Sequence, residues 1–284
     1  IMLNSGVSNS EVGGSISINA GGSTFSTGGS IMAMSGGSSQ STSGHVAITS
    51  GQSEVGMTGS IQLRTGNAGD GATGDLISKT GDSMDSVSGN VLVSAGKGKG
   101  GGAITLYAGV SSGGAGGDVM IRGGLSNGLG DNTRGNILVN GGSSSTSTGG
   151  GVKLSTGTSN SGISGAIQIS TGLGIEKSGS LLLGSGTAQT GRSGDIKMFT
   201  GKASQQGGDT VLKVGAGNDF GGSIYMFAGN SEQSSGGSVK VSSGNSKKGA
   251  GGNINIYTSS STTETGEVTI SSGKSTDGAS GNVD

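Results

Sequence analysis

The sequence predicts an all-β fold, a single-chain parallel β-solenoid, and three observations carry that expectation. The chain repeats itself at a step near 15 residues. Within each repeat apolar side chains alternate with polar ones, and proline is absent from all 284 residues. Alternation with period two marks a short strand with one buried face. A unit too small to bury itself gains a core by stacking on its neighbours. Proline cannot donate to a ladder of backbone hydrogen bonds, so a stacked chain excludes it.

The repeat is defined by an apolar residue followed five positions later by glycine. Ile1/Gly6 opens the series, and Ile16/Gly21, Ile31/Gly36, Val46/Gly51, Ile61/Gly66, Leu76/Gly81 and Val91/Gly96 continue it. The pattern runs on through Val268/Gly273, making about 19 repeats over residues 1–284, with step deviations of one to three residues. In the second repeat Ile16, Ile18 and Ala20 alternate with Ser17 and Asn19. The fifth position of each run is small (Ala20, Ser35, Thr65, Ala108, Gly141), as expected where the chain begins to turn. Helix is excluded by the absence of a 3.6-residue period and by the glycines, each costing about 1 kcal/mol relative to alanine.

Two repeats per coil, about 30 residues with two facing sheets, is the favoured arrangement; one repeat per coil is the alternative. Parity favours the first. From the seventh repeat onward, even-numbered repeats start with Ile104, Ile137, Ile167, Ile196, Ile224 and Ile254. Odd-numbered ones start with valine or leucine. The aromatics three residues after a start, Tyr107, Phe199, Phe227 and Tyr257, also fall in even repeats. Stacked coils would place Phe199, Phe227 and Tyr257 in one outward column. Ile1 begins on an inward position and Asp284 falls inside another strand, with no polar cap at either end. Solenoids need such caps to stay soluble. The expectation is therefore a segment of a longer repeat chain, or a unit whose raw ends dock head-to-tail.

Composition excludes several functions. Glycine numbers 67, hydrophobic residues make up 29%, and the net charge is −1 from 16 basic and 17 acidic residues. So little apolar material cannot fill a deep spherical core. Without a basic face, nucleic acid is not the expected partner. No apolar run approaches the ~18 residues of a membrane span, so membrane insertion is not expected. Cysteine is absent, which removes disulfides and thiolate metal sites.

Chemistry is equally sparse. His45 is the only histidine and takes a pre-strand slot filled elsewhere by Ser30 or Asn90. The G-x-S-x-G stretches at 109–113 and 124–128 have the spacing of a hydrolase nucleophile elbow, but they arise from the repeat's own Gly-x-Ser without a following helix. "GKGKGGG" at 96–102 lacks the phosphate-loop spacing and reads as a shortened turn. "GDGATGDL" at 69–76 is similar to calcium-repeat motifs, yet its acids do not recur every coil. An ice-binding face would need a Thr-x-Thr array, and none forms. The expectation is no enzyme activity, no catalytic residue, no cofactor and no metal.

What remains is an outward surface. Tyr107, Phe199, Phe227 and Tyr257, with Lys153, Lys213 and Lys240, are the candidate lateral-contact residues. Expected partners are other copies, end-to-end or laterally, other filament proteins, or glycans. At "GGSISINAGG" and "GGNINIYT" the chain resembles the glycine-rich repeats of filamentous-haemagglutinin-type adhesins, phage tail fibres and protist surface appendages. That resemblance implies a β-solenoid at the cell surface and carries over no functional residue. The leading expectation is the structural shaft or building block of an extracellular filament, appendage or cell-wall layer. The alternative is the stalk of an adhesin or tail fibre that binds its receptor through another region.

Overall fold

Glycines are placed where the chain returns on itself. In the second repeat the run 16–20 ends at Gly21, the chain loops through 22–28, and the Gly29 N–H donates to the Gly21 carbonyl at 2.8 Å. This is a close approach: a Cβ at Gly29 would stand 3.3 Å from the Ala20 Cβ and 3.4 Å from the Gly21 nitrogen. Both sequence features at this point follow from it. The fifth position of a run is small, and the residue opposite is glycine, because each backbone occupies the space the other's side chain would need.

The computed structural model describes residues 1–9, 12–126 and 135–283. Two compact units make up the chain, Ile1–Val152 and Lys153–Asp284. In the first, bonds like that at Gly29 close loops 6–14, 21–29, 36–44, 96–102, 109–117 and 142–150. In the second they close 215–222, 229–237 and 244–252. Loop 96–102, which carries Lys97 and Lys99, is the shortest of these; its bond is long at 3.4 Å, as is that of the next shortest, 215–222.

Serine holds the apex of the loops. The Ser23 hydroxyl accepts from the Ser26 N–H at 3.0 Å, Ser53 from Gly56 at 3.0 Å, and Ser159 from Gly162 at 2.9 Å. Ser231 and Ser246 do the same for Ser234 and Gly249. All these serines stand seven residues after a run begins. A serine hydroxyl capping a nearby backbone N–H is the local alternative to a ladder that makes serine a turn residue.

The expected β-solenoid is not what forms. Among the described residues there is no α-helix, no β-strand and no sheet. Coils of two repeats and coils of one repeat are overturned together, as is the description of the chain as a β-helix. A ladder needs two backbones side by side over several residues, about 4.8 Å apart. Where successive repeats are bonded they meet at the loop base, with one bond, and among the described residues no backbone bond joins two runs.

No Ile-facing-Val core forms either, since no described residue is buried. The accessible surface is 29112 Å², against about 11,000 Å² for a compact chain of this mass. A trace of the alternation survives in exposure: Val91 is 58% exposed, Leu92 86% and Val93 69%. The most shielded positions are the fifth ones, where Thr80, Ala108, Ala228 and Thr258 are half-buried against the next loop base.

Candidate interaction surface

The runs carry side chains that a water-facing segment has no reason to hold. Ile16, Ile31, Val46, Ile61 and Val91 start their runs and are all exposed, although the first position is generally the better shielded one. The backbone between them is open as well. Among the described residues the backbone-to-backbone bonds lie at the loop bases, so the N–H and C=O groups of the runs have no backbone partner.

The aromatic candidates stand on the same runs. Tyr107, in the first unit, is 91% exposed. In the second unit Phe199, Phe227 and Tyr257 are 83%, 87% and 81% exposed. Without stacked coils the basis for a Phe199–Phe227–Tyr257 column is gone, and the ring pair found among the described residues is a different one. Tyr225 and Phe227 lie two positions apart on one run, with centroids 6.0 Å apart and planes within 10°. Such parallel pairs contribute about 0.5–1.5 kcal/mol beyond area burial. The sequence signal for it was present, since positions two apart on a run share a face.

The lysines are dispersed. Lys153, Lys213 and Lys240 are exposed and enter no ion pair among the described residues. Charges gather instead at Asp195, whose two oxygens meet Arg192 and Lys197, each at 3.1 Å. Lys79 approaches Asp82 at 4.0 Å. These exposed pairs contribute little to stability.

The motifs resolve into loop parts. Ser111, the serine of the 109–113 G-x-S-x-G stretch, accepts from the Gly113 and Gly114 N–H groups at 3.4 and 2.8 Å. It is a turn acceptor in a closed loop. Gly128, which ends the second such stretch, lies outside the described residues. His45 is exposed at the start of its run. Around Asp70 and Asp75, as elsewhere among the described residues, no group of three acidic or histidine side chains converges on a metal-sized space. A shallow depression is lined by Arg64, Thr65, Gly66 and Asn67.

No family model, curated protein or solved structure matches this chain. The functional reading therefore rests on the residues themselves. No helix among the described residues is long and apolar enough to cross a membrane.

Proposed function

We propose that the chain is a non-catalytic structural building block of an extracellular filament, appendage or surface layer, joined through its apolar runs to copies of itself or to other filament proteins. The observation that carries this reading is the exposure of large apolar side chains repeat after repeat, with none of them buried among the described residues. Soluble monomers rarely leave contiguous apolar patches beyond a few hundred Å² uncovered. Several loops, by contrast, carry an internal base bond or a serine turn. A chain whose apolar runs stay uncovered is suited to be one part of a larger object. Its near-neutral charge, −1, leaves little electrostatic opposition to association.

Analytical ultracentrifugation and electron microscopy of the purified full chain test the reading, from about 1 μM upward. The expected result is concentration-dependent assembly into regular elongated particles. A monodisperse monomer at every concentration, with no ordered particles, would overturn it. The extracellular assignment is checked by antibody labelling of intact, unpermeabilised source cells, where surface label is expected.

A further inference from the structure

Six runs of the first unit, beginning at Ile16, Ile31, Val46, Ile61, Leu76 and Val91, are spaced at 15 residues without deviation. We infer that these six runs are a docking surface for a second copy of this chain, run against run and loop against loop. The inference rests on the building-block reading and specifies the partner and the phase of the contact.

Three observations select this occupant. First, the docking groups recur at a fixed period, and a second copy presents the same period. Docked in phase, every apolar run meets an apolar run and every closed loop meets a loop. Displaced by half a repeat, the apolar side chains would meet the serine and glycine of the loops. Second, among the described residues the backbone donors and acceptors of these six runs have no backbone partner along their length. Unpaired rows of this kind are templates for another chain. Third, the area is sufficient. Ten large apolar side chains occupy the first and third positions of these runs. At roughly 60–80 Å² each, with the intervening backbone, they approach the ~800 Å² per partner of a standard stable interface.

The absence of cysteine from the chain makes the phase measurable. Asn19→Cys and Thr49→Cys place a thiol at the fourth position of two runs, and Phe25→Cys places one in the intervening loop. A disulfide forms only where Cα atoms approach within about 7 Å. Full-length variants are assembled singly and in pairs, oxidised mildly, and read by non-reducing electrophoresis and mass spectrometry.

The expected result is run-to-run linkage, Asn19→Cys with itself or with Thr49→Cys, at least tenfold above linkage of either to Phe25→Cys. Ile18→Asp and Ile48→Asp are expected to raise the concentration needed for assembly at least tenfold. Equal linkage of run and loop positions would overturn the inference, as would ordered particles with no run-to-run link; either outcome leaves the building-block reading standing. A chain that never assembles would overturn both.

Discussion

Loops 21–29 and 51–59 of the first unit have the same length and the same serine at the apex, yet only the first is bonded at its base. Ser23 and Ser53 each accept from an N–H three residues on, both at 3.0 Å. At the base, Gly29 donates to Gly21 at 2.8 Å, while loop 51–59 has no counterpart. The two sequences differ at six positions, one of them the residue before the closing glycine, Gly28 in one and Thr58 in the other. A Cβ at Gly28 would lie 3.5 Å from the Gly21 oxygen. That is ordinary contact for one carbon, but the two branches of a threonine would crowd the acceptor. The glycine pairs 13–14, 116–117, 149–150, 236–237 and 251–252 all close their loops, whereas Thr73, Ser88, Ser164 and Ser193 precede bases without a bond. Loop 36–44 closes despite Ser43, and there the Ser35 hydroxyl adds a bond to the Gly44 carbonyl at 2.9 Å. Gly207–Gly208 is a pair without a base bond, and nothing in the structure explains it.

The largest effect is expected from filling the close approach itself. Gly29→Val puts a Cβ 3.3 Å from the Ala20 Cβ and 3.4 Å from the Gly21 nitrogen and oxygen, so the base must give by a few tenths of an ångström and its bond is weakened. Gly59→Val meets only the Ser50 Cβ at 3.9 Å and should change nothing. An exposed backbone hydrogen bond contributes about 0.5–1.5 kcal/mol. The residue 29 amide should therefore lose about two- to tenfold in hydrogen-exchange protection, read by NMR, with residue 59 unaltered. Equal responses at the two sites would show that the bases are equivalent.

A reciprocal exchange sharpens the same point. Gly28→Thr should open loop 21–29, and Thr58→Gly should give the Gly59 amide a partner in the Gly51 carbonyl. The gain in the second variant is expected to be smaller than the loss in the first. An added glycine increases unfolded-chain freedom by about 0.5–1 kcal/mol, which offsets most of one exposed hydrogen bond. If Thr58→Gly leaves the residue 59 amide as exposed as before, the preceding residue does not decide closure.

How much of this was legible in the sequence follows from what each signal reports. The 15-residue step placed every loop, because Gly21, Gly36 and Gly51 mark a turn whatever the runs do. The small residue at the fifth position was visible too, but its cause, the approach of Gly29 to Ala20, needed the backbone. The strands were misread for a specific reason. Alternation of Ile16 and Ile18 with Ser17 and Asn19 says that two faces of a run differ in polarity. It does not say that a second backbone of the same chain is bonded alongside, and among the described residues no backbone bond joins two runs. On the interaction surface, the exposure of Tyr107, Phe199, Phe227 and Tyr257 does not distinguish their phase, since the first and third positions of the runs are exposed as well. Their grouping could not be read from the sequence, since it was inferred from coils that do not form, and Phe227 pairs with Tyr225 instead.

The smallest effect tests whether apex and base are independent. Ser23→Ala and Ser53→Ala each remove one acceptor for one exposed N–H, at Ser26 and Gly56 respectively. Because water replaces the lost partner at an exposed site, the cost should sit at the low end, about 0.5 kcal/mol. The expected outcome is the same roughly twofold faster exchange at the amides of residues 26 and 56, with Gly29 still protected in Ser23→Ala. The reasoning is geometric: the Ser23–Ser26 bond spans three residues within the loop, and the Gly29–Gly21 bond is set by glycines outside that span. If Ser23→Ala also exposes Gly29, the apex transmits order to the base. Loop 51–59, whose apex serine is bonded but whose base is not, would then need a further reason to stay open beyond the side chain of Thr58.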